Sequence, residues 1–324
     1  MDALIQFNRS RGRLGFCRSI GFLILGSVLF AQQAMAGESL FTYNYTADTL
    51  PKSKWELEQS YWGRYGKMHG NYANSVYRTE IEYGVTDRYQ VALYTNEQHV
   101  YANRNNRDRT TGGEDVPENA ATDKRFNALT WKGISIENIY RVLSPYKDPI
   151  GLALYFEPEF GPNEIELEPR LILQKNFLED PLVVTLNFWW AFEWDRETGG
   201  AEIDPETEDG EPGRTKHRWV KESVYEPDLG VSYRFAPNWS VGFEAREHNE
   251  VSSFNPKDTE HNAFFLGPNI HYGGKRFWVT ATVLFQLPFA YGHNEEQRNA
   301  ITGGRLYGDE HESVETRVKF GYVF

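Results

Sequence analysis

The feature that most constrains this chain is the spacing of its apolar residues, which recur at every second position. Leu182, Val184, Leu186, Phe188, Trp190 and Phe192 form one such series; Trp239, Val241, Phe243 and Ala245 a second; Phe277, Val279, Ala281, Val283 and Phe285 a third. A period of two puts alternate side chains on opposite faces of an extended strand. With charges on the second face, the pattern also runs through Trp55, Leu57, Gln59 and Tyr61 against Glu56, Glu58 and Ser60. It returns in Tyr77, Ile81 and Tyr83 against Arg78, Glu80 and Glu82. No segment keeps a helical period over a useful length, so the fold class is all-β.

Composition decides what kind of β-protein. Aromatic residues make up 15% of the chain, yet mean hydropathy is −0.61. A transmembrane β-barrel reconciles the two, because it needs an apolar outer band with aromatic girdles while its lumen and loops stay polar. A secreted soluble β-protein is the alternative.

The first 36 residues read as a secretory signal peptide cleaved after Ala36. Arg9, Arg11, Arg13 and Arg18 precede the apolar run from Ile20 to Phe30, which ends in Ala34-Met35-Ala36. Nothing later offers a run long enough for a membrane helix, so strands must carry any crossing. Cys17, the single cysteine, lies behind Phe16 and ahead of the apolar run, so the mature chain has no disulfide or thiolate chemistry. Residues 1–36 hold four basic residues and one acid, so the balance of 34 basic and 46 acidic becomes 30 and 45 on cleavage. A net charge near −15 argues against nucleic-acid binding.

Turn signals divide the rest into twelve strands near 53–64, 75–85, 89–96, 126–142, 150–160, 164–176, 182–194, 219–235, 238–248, 261–272, 276–287 and 312–324. Residues 37–52 are expected as a periplasmic N-terminal segment and 53–324 as one antiparallel up-and-down barrel domain. The connections alternate in length. Thr86-Asp87-Arg88, Ser144 to Pro149, Phe177 to Pro181, Ala236-Pro237-Asn238 and Gly273-Gly274-Lys275 are short, whereas 65–74, 97–125, 195–218, 249–260 and 288–311 are long and polar; Pro162-Asn163 is a tight exception. Outer-membrane barrels have short periplasmic turns and longer extracellular loops.

The last strand alternates Val314, Thr316, Val318, Phe320, Tyr322 and Phe324 against Glu315, Arg317, Lys319 and Gly321. Ending on an aromatic, it resembles the C-terminal signal that the barrel-assembly machinery recognises, with Phe320, Tyr322 and Phe324 as the signal residues. Leu50-Pro51-Lys52, the run Glu80 to Arg88, Asp148-Pro149-Ile150-Gly151-Leu152 and Pro237-Asn238-Trp239-Ser240 resemble uncharacterised outer-membrane proteins related to transporters of phenol-degradation pathways. The resemblance implies a bacterial outer-membrane barrel and brings no substrate with it.

Candidate chemistry is sparse. His69, His99, His217, His248 and His293 fall in or beside outer loops without a paired serine motif. His261 follows Glu260 and His311 follows Asp309-Glu310, at strand ends where barrel proteases similar to the omptins keep acid–His pairs that activate water. Exposed acid–His neighbours are also common in acidic loops, and no G-x-S-x-G elbow is present, so no catalytic residue, cofactor or metal is assigned. Asp195, Glu197, Glu202, Asp204, Glu206, Glu208, Asp209 and Glu211 offer oxygens to calcium, but without EF-hand spacing. A solvated loop facing lipopolysaccharide is the plainer reading. Trp62 and Trp189 have inward parity, which leaves interface anchoring or a sugar-stacking track open.

The most pointed pattern is a repeated dipeptide: Glu157-Pro158, Glu168-Pro169 and Glu226-Pro227. Alternation turns each Pro outward and each Glu inward, and a proline in a strand removes a ladder hydrogen bond, so bends or bulges are expected there. A turn at Pro162-Asn163 sets Glu157 opposite Glu168 and Glu159 opposite Glu166, like charges that need compensation. Either Arg141, Arg170 and Arg234 neutralise them, or they form an acidic constriction that prefers cations or holds a divalent ion. Glu157, Glu159, Glu166, Glu168, Arg170, Glu226, Arg141 and Arg234 are therefore the lumen-lining candidates. The functional expectation is a monomeric channel for small solutes, open or largely plugged. An envelope-structural or interaction protein in contact with outer-membrane lipid and lipopolysaccharide is the second reading, and a rim hydrolase the third.

Overall fold

A computed structural model of the chain describes residues 39–324 apart from 107, 114, 118, 119, 199–216, 291–300, 303, 304 and 307–310; of 197, 198, 217, 218, 301, 302, 305 and 306 it describes the backbone alone. The signal peptide expected over 1–36 lies outside the described residues. Twelve strands form the wall: β1 (Trp55–Tyr65), β2 (Asn71–Thr86), β3 (Tyr89–Asn103), β4 (Phe126–Leu143), β5 (Gly151–Phe160), β6 (Glu164–Phe177), β7 (Leu182–Thr198), β8 (His217–Ala236), β9 (Trp239–Val251), β10 (Thr259–Gly273), β11 (Phe277–Leu287) and β12 (Val314–Val323). Each pairs antiparallel with its chain neighbour, and β12 pairs with β1, which closes the barrel and removes every sheet edge.

Period two is what makes this wall work in a bilayer. In β5 the odd-numbered residues are buried, while Leu154 and Phe156 face outward. Phe188, Val241, Phe243, Phe285 and Phe320 stand on the same lipid-facing surface. Pairing along the closed ladders satisfies the backbone groups that would otherwise face hydrocarbon.

Several strands outrun their expected ends. β3 continues from Asn96 to Asn103, and β2 starts at Asn71, so the expected loop 65–74 shrinks to residues 66–70. The cause is physical: beyond the bilayer both faces of a strand can be polar, as with Glu97, Gln98 and His99, so hydropathy stops alternating while the ladder goes on. The expected bulges at the Glu-Pro sites are absent. At Pro158, Pro169 and Pro227 one of the two flanking ladders lacks its pairs, yet the register on either side is unchanged. A proline without an N–H interrupts one ladder and needs no extra residue to do so. The register shifts lie elsewhere, for example between Asn96 and Glu97.

The segment expected as periplasmic, 37–52, occupies the barrel interior from Ser39 to Leu50. Phe41, Ala47 and Leu50 are fully buried, and Tyr43 nearly so. Irregular backbone survives at membrane depth only where protein or water satisfies it. Here the partners are inward side chains of the wall.

Candidate functional site

The candidate site is the lumen with its internal segment. Glu244 on β9 is the main anchor. Its carboxylate accepts the backbone N–H groups of Thr42 at 2.9 Å, Tyr43 at 2.8 Å and Asn44 at 2.9 Å, and also the hydroxyl of Thr282 at 2.6 Å. Successive amides converging on one oxyanion form a backbone nest. The cross-strand neighbours of Glu244 are Gly230 and Gly267, which leaves room for the segment. A Cβ on Gly230 would stand 2.9 Å from the Phe41 ring, so glycine here permits close approach.

Further anchors follow along the segment. Asn187 accepts the Tyr45 N–H at 2.8 Å and donates to its carbonyl at 3.0 Å, Gln174 accepts from Ala47 N at 2.7 Å, and Gln90 accepts from Leu50 N at 2.8 Å. Arg170 donates to the Tyr43 carbonyl at 3.2 Å and stacks over the Tyr45 ring at 4.8 Å. The segment thus crosses the lumen in the half of the barrel that carries the short turns, held by side chains alone.

The Glu-Pro carboxylates face this interior. Glu157, Glu159, Glu168 and Glu226 are buried, and Glu157 pairs with Glu168 and Glu159 with Glu166 across the β5–β6 ladder. The row of acids continues from Glu166 to Glu193 and on to Glu222. Compensation comes only in part from the bases expected. Arg170 binds Glu168 at 2.9 Å. Arg141 reaches Asp48 at 3.8 Å near the short turns, and Arg234 is exposed beside the β8–β9 turn, so neither neutralises the Glu-Pro set. Glu226 is instead held by Arg246, which also binds Glu315 at 2.9 Å, and by His248. Ser135 and Asn96 donate to Glu159 at 2.8 and 2.9 Å.

Arg246 escaped the sequence reading because its partner lies on a strand adjacent in space, and no dipeptide marks it. A second carboxylate group also went unrecognised. Glu56 lies opposite Glu82, and Glu58 opposite Glu80, across the β1–β2 ladder. The signal was present in the inward parity of these residues, but the pairing depends on the five-residue turn 66–70.

The tryptophans with inward parity are engaged by protein. Trp62 meets Tyr43 edge-on at 6.2 Å and donates to Glu315 at 3.3 Å, and Trp189 donates to Asp228 at 2.9 Å. His261 and His311 come together, with ring nitrogens 2.8 Å apart, and His311 is buried while Glu260 is exposed. Burial, then His261 and His248, push His311 well below the usual histidine range. His293, Asp309, Glu310 and the side chains of His217 and of the 195–218 acids, Asp195 excepted, lie outside the described residues. At the opposite mouth, the segment 104–125 folds inward: Asp115 binds Arg64 at 2.8 Å and accepts from Gln98 at 2.8 Å and Tyr72 at 3.0 Å.

A closed twelve-stranded wall with an apolar exterior and a polar, partly filled lumen defines a β-barrel of the bacterial outer membrane. Residues 33–324 match the family of unknown function DUF6662, and the chain belongs to that family. No curated protein matches it. Among solved structures it is similar to the COG4313 outer membrane channel from Pseudomonas putida F1, at 8% identity and a TM-score of 0.55 over 86% of this chain and 98% of that one. It is also similar to the KdgM porin, at 12% identity and a TM-score of 0.45 over 83% and 99%, and to the NanC porin, at 10% and 0.43 over 83% and 98%. These likenesses concern the fold.

Proposed function

We propose that this protein is a monomeric outer-membrane channel for small solutes, with an acidic lumen that prefers cations and with its own segment 39–50 as an internal obstruction. The observation that carries the proposal is the charge of the interior: among the described residues, thirteen acidic side chains are buried against four basic ones. The partly buried Arg64, Arg78, Lys132, Arg141 and Arg317 bring the bases to nine, still short of the acids. Low-dielectric walls focus such a field, so cations are concentrated in the lumen and anions repelled.

The likeness in fold to an outer membrane channel supports the channel part of this reading. Reversal potential across a planar bilayer under a KCl gradient tests the selectivity. Cation preference that falls in the Glu157→Gln, Glu168→Gln double variant is expected; anion preference would refute the acidic-lumen reading. The seated segment also favours a second reading, a non-conducting envelope protein with lipopolysaccharide contacts, which absence of conductance with and without residues 39–50 would support.

A further inference from the structure

We propose that the carboxylates that β1, β2 and β4 turn into the lumen beside the internal segment form a binding site for a single divalent cation of calcium's size. The site is distinct from the Glu-Pro set and does not depend on conduction. Glu80, Glu82 and Glu137 bring one carboxylate oxygen each within 4.8 Å of one another, and Glu56, Glu58 and Glu82 do the same, all five residues being buried. Calcium binds oxygens at 2.3–2.6 Å, so ligands on opposite sides of the ion stand at most about 4.6–5.2 Å apart; magnesium at 2.0–2.1 Å needs a tighter set, at most about 4.2 Å across. A set within 4.8 Å lies inside calcium's reach.

Two further observations point to a ligand. Glu80 is only 6% exposed, lines a cavity of about 40 Å³ shared with Glu58, Glu82 and Glu137, and among the described residues accepts no hydrogen bond and makes no ion pair. A bare carboxylate in such surroundings is costly unless a cation or a proton meets it. The cavity also exceeds the roughly 10–15 Å³ that one water requires, so it has room for an ion. The resident cation, Lys319, binds Glu58 at 3.1 Å and leaves the acids in excess.

The site touches the internal segment at two points. Glu137 accepts the Tyr45 hydroxyl at 2.9 Å, and Glu82 accepts from Gln90, the side chain that holds Leu50 N. A bound cation fixes both carboxylates, and through them both contacts with the segment. Occupancy of the site and seating of the segment are therefore linked, and each strengthens the other.

The test is calcium titration by calorimetry of the mature chain refolded in micelles and stripped with a chelator. Saturable binding is expected, with affinity reduced roughly tenfold or more by Glu80→Gln, which lowers the ligand charge. Affinity should rise in Lys319→Gln, which removes the competing ammonium. Calcium should also slow hydrogen exchange of the Tyr45 to Leu50 amides. No saturable binding by the unsubstituted chain up to about 10 mM calcium overturns the proposal whether or not a variant folds. So does binding unchanged by Glu80→Gln, which would belong to the outer acidic loops.

Discussion

Replacing Glu244 by Ala removes the oxyanion on which the amides of Thr42, Tyr43 and Asn44 converge. A hydrogen bond to a charged group is worth about 1.5–3 kcal/mol in a buried setting, and an orphaned buried N–H costs about 1–3 kcal/mol. Water entering the space left by the carboxylate recovers part of that. Counting about 1 kcal/mol for each of the three amides gives about 3 kcal/mol against the seated segment, roughly two orders of magnitude in its release equilibrium. Hydrogen exchange read by mass spectrometry on peptides spanning residues 39–50 should accelerate by up to about a hundredfold. The wall should stay heat-modifiable and folded, because Glu244 makes its backbone ladder in either case. Glu244→Gln keeps an acceptor and should show a smaller effect. Unchanged exchange of the 42–44 amides in a folded Glu244→Ala barrel would refute the nest as the anchor.

Three other outcomes follow from the geometry. Arg246→Met strands Glu226 and Glu315 without their guanidinium, which should cost about 3–5 kcal/mol in urea unfolding from micelles; a change below about 1 kcal/mol would contradict the ion network. Burial pushes the Asp115 carboxyl up, but Arg64, Lys132 and the bonds from Gln98 and Tyr72 outweigh it and hold it at about 2. That lies below the unfolded value of about 3.9, so the contact is fully present above about pH 4 and is lost as pH falls towards 2; pepsin should cut 104–125 at about pH 2 and not at about pH 4. Replacing Tyr322 and Phe324 by Ala should leave export intact and reduce folded barrel in the outer membrane, and undiminished folded protein would show that the terminal resemblance is accidental.

The wall was legible because each strand carries its own record of which face meets lipid. Leu154, Phe156 and Phe188 could be placed from their neighbours in sequence alone, and the short turns fixed the order. The Glu157–Glu168 pairing could be read because a two-residue turn sets its register. Compensation of charge could not, because Arg246 reaches Glu315 on β12, a strand separated from β9 by β10 and β11, and no sequence spacing marks such a contact across the lumen. The internal segment left the weakest trace. Phe41, Tyr43, Tyr45 and Ala47 alternate with Thr42, Asn44, Thr46 and Asp48 as strand residues would, yet the segment joins no ladder, and its partners Glu244, Asn187, Gln174 and Gln90 look individually like ordinary lumenal polar residues. Alternation marks an extended segment, and does not say whether its backbone pairs in the wall or is held by side chains inside it.

The claim that residues 39–50 obstruct an acidic passage is tested most directly by single-channel recording of the mature chain beside a chain lacking those residues, both verified as folded by heat-modifiability. Higher conductance with cation selectivity in the shortened chain is the predicted result. Equal conductance in the two, or anion selectivity after the segment is removed, would contradict it.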